Sequence, residues 1–268
     1  TNTRLITWKR FKDKILIKEK SSSAVAADSL PIHISVENNN YEPTLFAFDI
    51  ISFNKDSTAV VIDVTKFFST DVKALSGLSS RLRKQYKVKS LDKNRSFITT
   101  ASAYPKNIEI VQDFTYNAAQ PPSNRSGETI SLQMNQSMIL LKDEPVMPRV
   151  FDERVGWFTL SQYDFGSDAF KADKKTFIRR WNLVPKDLEA YKRGELVEPV
   201  KPIVYYLDPA TPEKFRPFIK AGVELWQTAF ESAGFKNAII AKDPPTKAED
   251  PEFSPEDIRY SVIRYVAS

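Results

Sequence analysis

Ile203-Val204-Tyr205-Tyr206-Leu207-Asp208-Pro209-Ala210-Thr211-Pro212 opens the stretch on which the reading of the fold turns, and Phe215, Phe218, Ile219, Gly222, Val223, Trp226, Ala229, Phe230 and Ala233 follow it. The first five residues form a compact apolar strand, and Asp208 to Pro212 turns the chain. The apolar residues beyond recur at three- and four-residue steps, which puts a continuous stripe on a helix. Pro217 lacks an N–H and clashes with the preceding turn inside a helix. The spacing therefore predicts a short turn over Pro212 to Phe215 and a main helix from about Pro217. Gly234 suits the left-handed position that ends it. Ala238 to Ala241 and Asp257 to Val266 read as two further strands, separated by the polar, Pro-rich loop Asp243 to Glu256. The unit is strand–helix–strand–strand, with a right-handed crossover expected.

Working back from that unit, residues 192–202 combine charge, Gly194, Pro199 and Pro202, which predicts a linker. Before it, Pro185 to Tyr191 reads as a short helix with Pro at its first position and Asp187 and Glu189 near its positive end. Residues 1–191 otherwise read as strands and turns. Lys14 to Lys18 is a short apolar run, and Pro31 to Val36 alternates with the period of two expected of a half-buried strand. Leu45 to Phe53 and Thr58 to Val64 flank the polar turn Asn54-Lys55-Asp56-Ser57, a β-hairpin pattern. Ile108 to Tyr116 and Thr129 to Leu141 read as a second strand pair around the loop Ala118 to Gly127. Arg154 to Leu160 reads as another strand, Thr176 to Val184 is mixed, and Lys66 to Lys87 is the one helical insertion. The fold class is α+β: a β-rich domain over 1–191, a linker over 192–202 and an α/β unit over 203–268. A unit of about 66 residues with one helix buries too little surface to be robust alone, so it reads as truncated in mid-domain.

Composition narrows the function. The net charge is +5, but 39 Lys and Arg are interspersed with 34 Asp and Glu, which reads as mixed solvated surface rather than a nucleic-acid partner. No apolar run approaches the length of a membrane span. The absence of cysteine removes disulfides, thiol nucleophiles and thiolate metal ligands. His33 is the single histidine. A His-Glu-x-x-His zinc site needs two histidines one helical turn apart, so the chain lacks even a three-ligand catalytic zinc set of the common kind. No Gly-x-Ser-x-Gly elbow, Walker loop or Gly-x-Gly-x-x-Gly fingerprint is present.

The remaining candidates read as ordinary structure. His33 lies in the alternating segment, where a surface or hydrogen-bonded histidine is expected. Asp164, Asp168 and Asp173 miss the spacing and closing Glu of a calcium loop and read as a solvated acidic loop. Glu224 and Glu231 lie off the apolar stripe of the helix and read as solubilising charges. Trp226 and the stripe read as core, and Tyr205, Tyr206, Tyr260 and Tyr265 as half-buried sheet residues. Three Asn-x-Ser matches, at Asn94, Asn124 and Asn135, are no more than a three-residue pattern delivers by chance. No residue is assigned as catalytic, cofactor-binding or metal-binding.

Pro202 to Pro217 with Ala221 to Phe235, and Asp257 to Tyr265, resemble the opening of the catalytic domain in a large family of bacterial, usually exported, zinc-dependent metallopeptidases of the metzincin-like kind. Asn38 to Pro43, Asp56 to Val64, Ser90 to Phe97 and Asp152 to Phe158 resemble the uncharacterised domain that precedes it. The resemblance runs from about Lys14 to Val266. It implies a truncated metzincin-like half-domain and, in the parent protein, a zinc ion, hydrolysis of a peptide or protein substrate by zinc-activated water, and an exported, periplasmic or cell-surface location. The zinc helix would follow later in the parent. No position here matches its motif, so this chain carries no zinc and is inactive by itself, and its partner is the remainder of its own catalytic domain. The alternative is a non-catalytic β-rich module for binding or latency, recognising protein or glycan, with Asp152 as the candidate carboxylate reaching the parent's zinc.

Overall fold

The computed structural model describes residues 3–21, 23–122, 127–142, 145–167 and 170–266. Two compact units emerge: Thr1–Ala101, Ile110–Gln136 and Met147–Arg179 in the first, and Ser102–Glu109, Ser137–Val146 and Arg180–Ser268 in the second.

The first unit opens with β1 (Ile6–Phe11) and β2 (Lys14–Glu19), an antiparallel hairpin turned at Lys12, whose φ is 55°. After β3 (Ala24–Val25) comes α1 (Ile32–Asn39), then β4 (Thr44–Phe53) and β5 (Val60–Ile62). The sheet order is β1-β2-β4-β5. Ile15 and Ile17 alternate into the core with Lys14 and Leu16 less buried, the period-two pattern of a strand with one covered face. The β4–β5 hairpin forms as predicted: Ala59 N–H donates to the Asn54 side chain at 2.9 Å and Asn54 N–H to Ala59 O at 3.1 Å. Phe46 and Phe48 pack edge-on against Phe67, which lies with Phe68 on α2 (Thr65–Ser69).

The segment 31–36, expected as a strand, is helix α1. Alternation over six residues fixes a strand only where a neighbouring strand takes its backbone bonds. Here Asn40 N–H donates to Val36 O at 3.0 Å, and the side-chain amides of Asn39 and Asn40 donate to Ser35 O and Val36 O at 2.9 and 2.8 Å, satisfying the terminal carbonyls of a helix. The insertion 66–87 is two short helices, α2 and α3 (Ser80–Gln85), because Ser79 caps a fresh start by accepting from Leu82 N–H. Arg83 reaches back from α3 to Asp71 with a bidentate pair at 2.7 and 2.5 Å.

Next come β6 (Val88–Leu91), β7 (Phe97–Ala103), β8 (Asn107–Ala118) and β9 (Thr129–Ile139), with sheet order β6-β8-β7 and β9 also paired to β8. Leu78, Phe114 and Tyr116 form a buried cluster joined by Leu132 and Met134. The Asn124 pattern lies outside the described residues. The strand expected at Arg154 to Leu160 begins only at β10 (Thr159–Asp164), which pairs with β11 (Asp173–Ile178) and β3. Asp152 accepts from Arg154 N–H at 3.0 Å and makes 152–155 a turn.

In the second unit, α4 (Leu188–Lys192) is capped by Asp187, which accepts from Ala190 N–H, rather than opened by Pro185, which bridges to Pro199. Residues 192–202, read as linker, are mostly exposed but anchored at Val197 and Pro199, which are buried. Val197 is buried with Ala190, Phe235 and Ala238, and its N–H and C=O bond Gly234 O and Lys236 N–H at 3.0 Å each. Gly and Pro punctuate a chain without freeing it when its backbone groups find fixed partners. β12 (Ile203–Leu207) leads through a 3-10 turn at Glu213–Phe215 into α5 (Arg216–Glu224) and α6 (Gln227–Ser232), then β13 (Ile239–Lys242) and β14 (Ser261–Ile263). The sheet order is β13-β12-β14, all parallel. Gly234 takes φ 89°, and a Cβ there would lie 2.6 Å from the Tyr191 ring. The last strand is shorter than Asp257 to Val266 because Asp257 accepts from Arg259 N–H at 2.9 Å and turns 257–260. Among the described residues no helix is long and apolar enough to cross a membrane.

Phe67 is 1% exposed and meets three aromatic rings. Phe67→Ala is expected to cost about 3–5 kcal/mol, measured as a fall in the urea midpoint with the slope unchanged.

Candidate functional site

In open parallel sheets the place for ligands is the crevice beyond the carboxyl ends of the strands. Here β12 delivers Asp208, β13 delivers Asp243 and β14 delivers Arg264 to that edge. Asp208 is buried. Its N–H donates to Ile263 O at 3.0 Å, one carboxylate oxygen accepts from Ala210 N–H at 2.9 Å, and the other faces Arg264 at 3.6 Å. Asp243 accepts from Lys220 Nζ at 2.6 Å and lies 4.0 Å from Arg216, both on α5. Arg216 also donates to Thr211 O at 3.0 Å, so it ties the β12 turn to the start of the helix. Each acid at this edge already has a cationic partner. The arrangement fixes loops and leaves no free nucleophile or base among these groups.

Behind the edge, Tyr206, Phe253 and Tyr260 form an aromatic cluster with ring centroids 4.9–5.6 Å apart. Tyr260 donates to Asp250 at 2.6 Å, and that bond, together with burial, pushes its pKa up to about 12. Asp257 is 1% exposed. Burial opposes its charge, but the Arg259 guanidinium and N–H outweigh that and hold its pKa below the usual carboxylate value. Tyr205 packs edge-on against Trp181, and Tyr265 stacks with Phe215.

Residues 203–268 were expected to bury their helical stripe. Ile219, Val223 and Phe230 are partly covered, with α5 packed on β13, but Phe218 and Leu225 are each 77% exposed and Trp226 is 64% exposed. The apolar positions wrap around the helix and exceed what one sheet can cover. The helix is also interrupted at Leu225 and Trp226, so Glu224 and Glu231 belong to different helices, both exposed.

Residues 1–186 match the family model described as a domain of unknown function, DUF5117. The chain belongs to this family. No curated protein and no solved structure matches it. The DUF5117 match stops at 186, whereas the second compact unit draws 102–109 and 137–146 from inside it.

Within the DUF5117 segment, His33 lies on α1, with Nδ1 3.3 Å from Ala26 O and Nε2 3.5 Å from Glu37. Asp152 is held by its own neighbour: Arg154 donates two side-chain bonds at 2.8 and 2.5 Å and keeps its pKa below the ordinary value. Asp164 accepts from Lys175 at 2.5 Å and from Gly166 N–H at 2.8 Å, and it faces Asp173 across the hairpin, while Asp168 lies outside the described residues. Leu30, Ile32, Phe165 and Phe170 border a groove of about 680 Å³. The residues present do not fit a zinc ion: there is one histidine and no cysteine, and among the described residues no three His, Asp or Glu side chains converge. Asp208, Asp243 and Arg264 were not legible as a group, because only strand pairing brings them to one edge.

Asp257→Asn is expected to lower the urea midpoint at neutral pH. A depressed pKa contributes stability that is complete above the unfolded value, roughly 3.9 for Asp, and is lost as pH falls through the folded one. The gap between variant and parent should therefore close at the acid end of a pH series.

Proposed function

We propose that this chain is part of an exported, periplasmic or cell-surface zinc-dependent metallopeptidase, with residues 203–268 forming the first part of a metzincin-like catalytic domain. The chain itself supplies no zinc ligand and no catalytic base, and the remainder of the catalytic domain is its partner. The observation that carries this reading is the parallel sheet β13-β12-β14 with a helical crossover, α5 and α6, on which Phe218 and the junction residues Leu225 and Trp226 are exposed. An apolar helix face of that extent belongs against a further layer of protein. The order of blocks resembling the metallopeptidase family agrees with it.

The protein expressed from the complete reading frame should bind zinc and cleave unstructured peptides, and a chelator should abolish cleavage. The 268-residue chain should do neither. A complete protein without zinc or peptidase activity, or cleavage by the 268-residue chain, would sink the proposal.

A second reading, a binding module in the DUF5117 segment, has the groove at Leu30, Ile32, Phe165 and Phe170 in its favour. It predicts a reproducible ligand on a glycan or peptide array whose signal falls in Phe165→Ala. A blank array with the parent chain removes it.

A further inference from the structure

The β7–β8 hairpin carries a polar cluster that neither the sheet edge nor the proposed peptidase chemistry uses. Asn107 and Glu109 are 3% and 5% exposed, both on β8. Burying a polar side chain without partners is costly. Asn107 is satisfied by the backbone of a segment roughly 150 residues away: its side-chain N–H₂ donates to Glu256 O at 2.9 Å, and its carbonyl accepts from Ile258 N–H at 3.0 Å. The same N–H₂ group donates to Glu109 Oε1 at 2.6 Å, and Ser137 on β9 donates to Glu109 Oε2 at 2.5 Å. At the rim, the Tyr104 hydroxyl lies 2.8 Å from Ser254 Oγ and donates to Glu256 at 3.4 Å. The hairpin tip is itself braced, since Tyr104 N–H donates to Asn107 O and Leu140 N–H to Lys106 O, each at 2.8 Å.

The segment held in this way leads through the Asp257 turn straight into β14, which pairs with β12 over only three residues. A strand that short has few ladder bonds with which to fix its own register. Asn107 takes one donor and one acceptor from alternate residues, as a neighbouring strand would. Glu256 and Ile258 lie outside the DUF5117 match and Asn107 inside it, all within one compact unit.

We propose that a function of the DUF5117 domain is to clamp the downstream α/β unit: Tyr104 and Asn107, with Glu109 and Ser137 bonded behind Asn107, hold segment 254–258, and through it set β14 in the parallel sheet. The clamp is independent of zinc and of the peptidase reading.

Hydrogen exchange on the whole chain tests it. Asn107→Leu keeps the volume and removes both bonds to the 254–258 backbone. Exchange over 256–263 should rise about 10-fold or more, while β1 and β2 keep their protection. Unchanged exchange over 256–263 overturns the clamp. If Asn107→Leu loses protection in β1 and β2 as well, Tyr104→Phe decides, since it deletes only the rim hydroxyl. A rise of roughly threefold confined to 254–263 then supports the clamp, and no local rise overturns it.

Discussion

A parallel strand pair cannot be closed by a tight turn; the chain must travel back along the sheet before it can pair again. In this protein that constraint falls on residues 208–238, between β12 and β13. The apolar content of α5 and α6, the turn at Asp208, and the left-handed Gly234 that lets Phe235 join the Val197 cluster all follow from it. The crossover must cover the sheet with one helix face. A sequence apolar on more than one face leaves Phe218, Leu225 and Trp226 outward.

Polar burial is the second organising constraint. Asp257, Asn107 and Asp208 are all buried, and each has fixed partners: for Asp257 a guanidinium two residues on, for Asn107 a backbone N–H and C=O pair from a distant segment, and for Asp208 a turn N–H with a facing arginine. These bonds define the loops at 208–211 and 254–260, which carry the chain into and out of the sheet. In the first unit Arg83 plays the same part, joining Asp71 and Ser76 beneath the Tyr116 ring. Membership of the DUF5117 family names the domain, and its physical content is this set of sheets with their bonded polar insertions.

Local signals served well where a strand had both a period and a turn to bound it. β2, β4, β5, β8, β9 and β12 lie where alternation or a compact apolar run predicted them. β1 and β7 carried no such signal, because Trp8 to Arg10 and Thr99 to Ala101 mix residue types and are mostly exposed. The failures at Ile32 to Asn39, Arg154 to Phe158 and Asp257 to Tyr260 share one cause. In each, an Asn or Asp side chain bonds the nearby backbone and supports a helix end or a turn where the apolar pattern allowed a strand.

By itself the sequence determined that the chain mixes a β-rich part with an α/β part, that no cysteine and one histidine are available, and that helical structure starts near Pro217 and stops before Gly234, though not that it breaks into two helices at Leu225 and Trp226. These depend on residue counts and on interactions within a few positions. Only the tertiary structure decided that Asp208, Asp243 and Arg264 share one sheet edge, that Asn107 bonds Glu256 and Ile258, and which side of α5 and α6 stays uncovered. The physical reason is that hydrogen-bond partners and burial are set by strand order and packing between distant segments, and a linear pattern records the period of an element without recording what lies against it.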